Sequence, residues 1–346
     1  MLRLRVLPAL HGDALLLEYG PPDTPHHVLV DGGPRSNITR EAIAAALRQV
    51  RGLDLLVVTH VDADHITGVL RMLEHGDLPD RIGDVWFNGW HHLPSDQLGV
   101  KQGERLSKAI RKRRLPWNAA FDGGAVMVPD TGPLPVRELP GGLRLTLLSP
   151  TRQALADLRP AWKEVVEEAE PAGPPPVHER PVQPDRLGDK PLDPDALAAA
   201  PFAPDDSEAN GSSIAFLAEF DGRSVILTGD AHCGVLVPGL RRLAAGNGRV
   251  SAGALKVPHH GSAGNVSGEL LDILDCRRFV FSTNGAIYGH PDRTAIARIV
   301  TRIPGSRLEF NYRTPSLEPW ESARLRRRWR YETVFGDVDG HLLVRL

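Results

Sequence analysis

Residues 59–65 read THVDADH, and this stretch decides the fold because it places two histidines and two aspartates within seven residues. Carboxylates this close repel each other unless a positive charge lies between them, and a bound cation is the usual source of that charge. The apolar run LDLLVV precedes the stretch and is typical of a buried strand, whereas HITGVLRMLEHG after it has helical periodicity. The order strand, polar turn, helix predicts a metal site at the edge of a sheet.

Other apolar strands of the chain also end in potential metal ligands. HVLVDGG places Asp31 at such an end, RSVILTGD places Asp230, and GALKVPHHGS places His259 and His260. Imidazole nitrogens and carboxylate oxygens are the ligands that divalent metals use in proteins. If these strand ends meet at one edge of the fold, they form a site for one or two metal ions.

The order of predicted elements indicates a single α/β domain over residues 1–346. Short strands and helices alternate along the chain without a short-period repeat, so two β-sheets flanked by helices are the simplest packing. Residues 170–208 interrupt this order with a run rich in Pro and acidic residues, a composition that buries too little apolar surface to order itself. We predict a flexible insertion there, on which a regulatory partner or a protease could act.

Composition restricts the function classes. A formal net charge of -2 gives no general attraction to nucleic acid, and no apolar run reaches the ~20 residues of a membrane helix. Two cysteines are too few for a disulfide framework or a thiolate zinc site. These observations predict a cytoplasmic protein without membrane contact. The basic runs KAIRKRR and ARLRRRWR, with Trp117 and Trp329, could contact nucleic acid, or they could be ordinary exposed helix faces.

The combination of THVDADH, LTGD and KVPHHGS resembles the metallo-β-lactamase superfamily, and more closely the soluble hydrolase domain of ComEC-type DNA-uptake proteins. HGDALLLEYG, LVDGG and NGAIYGHP extend the resemblance in the same order over most of the chain. The resemblance implies a four-layered αβ/βα sandwich, in which two mostly antiparallel or mixed sheets are flanked by helices. It also implies a dinuclear metal centre in a cleft along one edge of the sheets.

The resemblance implies six metal ligands, which are, in chain order, His60, Asp62, Asp64, His65, Asp230 and His260. The first two would hold one metal and the next two the other, with Asp230 bridging them. The best positional match to the usual third histidine of the first metal is Asn210, whose amide is a poor ligand. An oxygen-rich ligand set favours manganese or magnesium over zinc, so we expect two divalent ions, zinc or manganese, with magnesium as an alternative.

Two metals this close suit the hydrolysis of a phosphodiester in DNA or RNA. Asp64 and Asp230 would orient a bridging hydroxide, while His259 or a metal-bound water would protonate the departing oxygen. We expect Asp31 and His11 to hold the ligands in place rather than to bind metal.

Four further residues are expected to bind substrate, namely Asn210, Asn284, Tyr288 and His290. The last three belong to NGAIYGHP, at another strand end. His11 and His290 could equally be structural histidines, which are commoner than functional ones. Two other functions stay open on the same fold: a hydrolase of carbonyl compounds such as lactones, lactams or thioesters, and a binding module without catalysis.

Overall fold

The computed structural model of the protein describes residues 1–94, 105–169, 192–244 and 248–346. The described strands are β1 (Leu2–Val6), β2 (Leu15–Tyr19), β3 (His26–Val30), β4 (Gly52–Leu53), β5 (Leu55–Val57), β6 (Arg81–Ile82), β7 (Val85–Trp86), β8 (Val136–Leu139), β9 (Leu143–Ser149), β10 (Ala215–Phe220), β11 (Arg223–Leu227), β12 (Val250–Ser251), β13 (Ala254–Lys256), β14 (Leu274–Asp275), β15 (Arg278–Phe281), β16 (Arg307–Phe310), β17 (Glu332–Phe335) and β18 (Leu342–Arg345).

The described α-helices are α1 (Asn37–Leu47), α2 (Ala63–His75), α3 (Arg105–Lys112), α4 (Arg152–Ala169), α5 (Pro194–Ala198), α6 (Glu208–Gly211), α7 (Cys233–Leu243), α8 (Gly268–Asp272), α9 (Arg293–Arg302) and α10 (Ala323–Trp329). None of the helices in the described ranges combines the length and the apolar character that crossing a bilayer requires.

Two large mixed sheets form the centre of the fold. One has six strands in the order β18-β1-β2-β3-β5-β7, and the other has eight in the order β17-β16-β15-β13-β11-β10-β9-β8. In the first sheet the pairing changes from antiparallel to parallel at β3, and in the second it changes at β11. Each sheet therefore has a set of neighbouring parallel strands whose carboxyl ends lie at one edge.

Three apolar clusters divide the molecule into four layers. Leu17 of the first sheet and Phe216 of the second belong to the cluster between the sheets. Val69 of α2 lies in a second cluster, with residues of the first sheet, and Leu236 of α7 lies in a third, with residues of the second sheet. Because each sheet buries one face against the other sheet and one against helices, the result is the predicted αβ/βα sandwich.

Helix α2 begins immediately after the THVDADH turn and packs closely on the LVDGG loop. A Cβ atom on Gly68 would lie 1.8 Å from the carbonyl oxygen of Gly32, so a larger residue could not be accommodated without moving the backbone. The helix ends at Gly76, which has the left-handed φ of 77° that favours glycine at this position. This close packing fixes the N-terminal end of α2 beside the end of β3.

The predicted insertion over 170–208 falls partly outside the described residues, which resume at 192. From Leu192 onward this segment is packed: Leu192 and Leu197 contact the apolar cluster that includes α9. Arg298 of α9 donates hydrogen bonds to the carbonyl oxygens of Ala200 (3.2 Å) and Pro201 (3.4 Å). Composition did not indicate this packing because it depends on a partner helix about 100 residues later in the chain.

Candidate metal centre

The ends of parallel strands from both sheets meet at one edge of the sandwich. Backbone bonds connect the loops there: Ile214 N donates to Thr59 O at 2.9 Å, and Asn284 N donates to Leu10 O at 2.7 Å. Since parallel strands share their direction, the side chains that follow them are brought together.

Five of the six predicted ligands form two adjoining groups at this edge. His60, His65 and Asp230 make up one group, and Asp64, His65 and His260 make up the other, with the potential ligand atoms of each group within 4.8 Å of one another. Nε2 of His65 lies 3.4 Å from Oδ2 of Asp230, and Nε2 of His260 lies 3.5 Å from the same oxygen. The two groups therefore share His65 and face a common carboxylate.

The three imidazoles of these groups are oriented alike. In each of His60, His65 and His260 the Nδ1 atom is bonded to the protein. The bonded atoms are, in that order, Thr59 Oγ1 at 2.9 Å, Asp31 Oδ2 at 2.9 Å and Ser282 O at 2.8 Å. Each Nε2 is buried without a hydrogen-bond partner among the described residues. Buried polar atoms normally have partners, so inward-facing Nε2 atoms beside carboxylates fit a bound cation.

Asp13 belongs to two other groups of potential ligands, but its surroundings favour a supporting role. Nζ of Lys256 lies 2.7 Å from Oδ2 of Asp13, and both side chains are fully buried. A metal ion bound to Asp13 would be repelled by this ammonium group. Oδ1 of Asp13 lies 3.4 Å from Nδ1 of His260, on the side of the ring away from the centre.

Asp31 is likewise committed to other contacts. It accepts hydrogen bonds from Thr59 N and Thr59 Oγ1, both at 2.8 Å, in addition to the bond from His65 Nδ1. A carboxylate bonded to the outer nitrogen of a ligating histidine fixes the direction of the ring. This geometry matches the expectation that Asp31 holds a ligand in place.

Residues 8–150 match the family model of the metallo-β-lactamase superfamily. This part of the chain is similar to that superfamily. Superfamily members bind divalent metals, often two. Asp230 and His260 lie beyond the matched residues, so their place at the centre depends on the structure. No curated protein matches the chain.

Solved structures similar to the chain have low sequence identity. Igni18, a metallo hydrolase from Ignicoccus hospitalis KIN4/I, is 12% identical with a TM-score of 0.44, and the match covers 99% of each chain. Zn²⁺-bound PqqB from Methylobacterium extorquens is 12% identical with a TM-score of 0.41, covering 99% of this chain and 100% of PqqB. CmlA, a diiron β-hydroxylase from Streptomyces venezuelae, is 13% identical with a TM-score of 0.42. This chain is fully covered in that match but spans only 54% of CmlA.

The candidate centre carries strongly perturbed charges in the absence of metal. Burial lowers the pKa of His260, but the carboxylates of Asp230 and Asp13 outweigh this effect and raise it to about 10. Burial raises the pKa of Asp64, but His65 and His260 hold it well below its usual range. Protons on the imidazoles therefore balance the carboxylates where cations would otherwise do so.

Metal binding at neutral pH should release protons. His260 has a raised pKa and is protonated at pH 7, whereas a metal ion binds only the deprotonated imidazole. Affinity should therefore increase as the pH rises toward about 10. Calorimetric titration with Mn²⁺ at pH 7, in two buffers of different ionisation enthalpy, measures the released protons. Equal heats in the two buffers would contradict the expectation.

Asp62 and Asn210 lie outside the two groups of potential ligands. Oδ2 of Asp62 is 3.5 Å from Nε2 of His60, and its side chain is 31% exposed. Asn210 is buried and donates from Nδ2 to Oδ2 of Asp205 at 2.8 Å. Asn210 therefore contacts Asp205 beside the centre.

The NGAIYGHP loop forms one rim of the centre. The ring of His290 lies 5.2 Å from that of His259 and stacks on Tyr288 at 6.1 Å. Tyr288 is 57% exposed, and burial of its hydroxyl, followed by the charge of Asp64, raises its pKa to about 12. His11 lies edge-on to Tyr288 at 6.1 Å, which places it beside the rim.

Asn284 contributes to the shape of this rim. Its backbone N–H bonds to the loop that carries His11, and its Oδ1 accepts from Ala286 N at 3.0 Å. The side chain therefore stabilises a local turn at this rim.

The first basic run belongs largely to α3, which packs against α2. Arg105 of α3 pairs with Glu74, at the C-terminal end of α2, whereas Asp64 and His65 lie at its N-terminal end. The 13 residues of α2 span about 20 Å at 1.5 Å per residue. Trp117 is held by a bond from its Nε1 to Phe87 O at 2.8 Å.

The second basic run ends beside the C-terminal end of α9, whereas the rim lies at the N-terminal end of that helix. Asp292, the residue before α9, bonds to His290 at the rim. Gly305, just beyond the C-terminal end of α9, donates to the carbonyl oxygen of Arg330 at 2.6 Å, immediately after α10. Arg328 and Trp329 both contact Asp195. These positions could not be predicted from the sequence, because the charge of a helix does not show which other helix it contacts in the fold.

Three residues of the centre were not identified from the sequence. Asp13 lies in HGDALLLEYG and Lys256 in GALKVPHHGS. A lysine inside an apolar strand was a usable signal, since a buried ammonium requires a buried partner. Asp205 gave no signal, because it lies among many similar acidic and proline residues.

Proposed function

We propose that this metallo-β-lactamase superfamily chain is a metal-dependent phosphodiesterase or nuclease acting on DNA or RNA. One observation carries the proposal: three buried, unpartnered Nε2 atoms face Asp64 and Asp230 at the edge of the sandwich. Most of the superfamily are metal-dependent hydrolases. The ComEC-type resemblance in LTGD and KVPHHGS further supports a phosphodiester substrate.

The residues of the centre suit displacement at phosphorus. Two divalent ions, when bound, would activate water and neutralise charge on the phosphoryl oxygens. His60, His65, His260 and the two carboxylates would hold them. Asp230 and Asp64 orient the attacking water. Nε2 of His259 lies 3.8 Å from Oδ2 of Asp230. When the ring is protonated on both nitrogens, Nε2–H could protonate a departing oxygen while Nδ1–H stays bonded to Asp205.

The ligand types favour manganese. Asp64 and Asp230 supply carboxylate oxygens, partly exposed Asp62 adds a further carboxylate beside His60, and Asn210 supplies no imidazole at the position of the usual third histidine. Hard oxygen ligands select Mn²⁺ or Mg²⁺, whereas imidazole suits zinc. We therefore propose two Mn²⁺ ions, with Zn²⁺ or Mg²⁺ as the alternatives.

The rim supports a substrate with a planar ring. Tyr288 is largely exposed and stacks on His290, so it offers an aromatic face beside the centre. Stacking of a base on an aromatic side chain contributes about 1–3 kcal/mol and tolerates any base.

A substrate panel tests the proposal. Metal-stripped protein is reloaded with Mn²⁺, Zn²⁺ or Mg²⁺ and incubated with single-stranded DNA, RNA, a chromogenic phosphodiester and a chromogenic lactam. We expect phosphodiester cleavage, fastest with Mn²⁺. Turnover of the lactam alone would establish the carbonyl hydrolase instead. Absence of turnover together with substoichiometric metal would indicate a binding module.

A further inference from the structure

Asp205 lies at the centre of a polar cluster beside the candidate metal centre. Its Oδ2 accepts from Asn210 Nδ2 at 2.8 Å and from Asn265 Nδ2 at 3.0 Å. The same oxygen is 3.1 Å from His259 Nδ1 and 3.5 Å from His232 Nε2. One carboxylate thus contacts four side chains, although it belongs to the segment predicted to be a flexible insertion.

These contacts fix the orientation of His259. Its Nδ1 lies between two acceptors, Asp205 Oδ2 at 3.1 Å and Asn265 Oδ1 at 3.0 Å, so Nδ1 carries the hydrogen. Its Nε2 consequently faces Asp230. Within the described ranges, His259 belongs to none of the groups of potential metal ligands. The ring therefore lies next to the ligands and presents Nε2 to whatever they bind.

Asp205 is itself held from two sides. Asp205 N donates to the carbonyl oxygen of Gly264 at 3.2 Å. Arg298, nearly fully buried, donates to Ala263 O at 2.7 Å and to Ala200 O at 3.2 Å. This arginine ties the segment before Asp205 to the loop after the HHGS turn. Asp205 is thus fixed relative to His259 by contacts independent of the metal ligands.

We propose that Asp205 is a positioning residue, which holds His259 with Nε2 directed toward the substrate group that leaves during the reaction. The arrangement repeats that of Asp31 and His65, in which a carboxylate bonds Nδ1 while Nε2 faces the centre. The two carboxylate–histidine pairs differ because His65 belongs to the groups of potential metal ligands, whereas His259 does not. This inference rests on the proposed function and assigns a role to a residue of the insertion.

The first test separates positioning from metal binding. Asp205→Ala should lower kcat by about 10–100-fold, the range for residues that orient a functional side chain, while KM and the metal content stay near wild type. Asp205→Asn should lose less, because its amide oxygen can still accept from Nδ1. Asp206→Asn is the matched control at an exposed neighbour and should equal wild type. Loss of metal in Asp205→Ala, or equal losses in the alanine and asparagine variants, would overturn the proposal.

The second test asks whether Asp205 acts through His259. In a His259→Ala background, Asp205→Ala should have almost no further effect on kcat, because the two residues form one unit. Multiplicative effects of the two substitutions would overturn the proposal.

A third measurement does not depend on activity. In metal-free protein, at a pH high enough to keep the imidazole neutral, ¹⁵N NMR should report the Nδ1–H tautomer for His259, and Asp205→Ala should shift it toward a mixture. An unchanged tautomer would overturn the proposal. If wild type cleaves no phosphodiester, the proposed function fails, while this spectrum still tests how His259 is held.

Discussion

Asp230→Ala should bind Mn²⁺ substoichiometrically and lose at least about 100-fold in turnover, more than the 10–100-fold typical of residues that only support ligands. The reason is the central position of the side chain. Oδ2 of Asp230 lies 3.4 Å from Nε2 of His65, 3.5 Å from that of His260 and 3.8 Å from that of His259. Removing it leaves imidazoles without the carboxylate that they share.

Metal analysis of purified protein and a metal-titrated nuclease assay measure the two effects. Asp80→Asn, at an exposed position outside the centre, is the control and should match wild type in both. Asp230→Asn keeps the size of the side chain and should resemble Asp230→Ala, because a neutral amide is a poor metal ligand. Full metal content and turnover in Asp230→Ala would mean that this carboxylate is not part of the centre.

Lys256→Met should reduce the free energy of unfolding by about 3–5 kcal/mol, the usual cost of breaking a buried ion pair by removing one partner. Nζ of Lys256 lies 2.7 Å from Oδ2 of Asp13, and neither side chain is exposed to solvent. The substitution leaves the Asp13 carboxylate buried without its counter-charge. We expect the effect in metal-free protein, measured by urea unfolding.

Two variants make this prediction specific. Lys163→Met removes an exposed lysine that pairs with Glu167 at 3.8 Å, and should cost only about 0–1 kcal/mol. Asp13→Asn combined with Lys256→Met removes both charges and should recover much of the lost stability. Equal losses at positions 163 and 256, or a double variant no more stable than Lys256→Met, would show that the ion pair contributes little.

The two predictions address different features of one edge of the sandwich. Asp230 lies among the side chains that would hold metal, whereas Asp13 and Lys256 lie beside His260 and determine how its ring is held. If Lys256→Met loses stability but keeps its metal content, the ion pair stabilises the fold around the site without contributing to metal binding.

The sequence by itself determined the fold class and the strand ends that carry polar side chains. THVDADH lies between a buried strand and an amphipathic helix, and both patterns are local, because burial and periodicity are recorded within ten to twenty residues. HVLVDGG, RSVILTGD and KVPHHGS are local in the same way, so their common position at strand ends could be predicted before any contact between them was known.

Only the tertiary structure decided which of these side chains meet and what holds them. Asp13 and Lys256 are far apart in sequence, as are Asp205 and His259, and their contacts depend on sheet order and register rather than on any local pattern. The same reason explains the basic runs, whose charge was evident in the sequence while the helix ends that they contact were not. Local periodicity specifies how each element is buried, but the contacts between elements arise from packing of the whole chain.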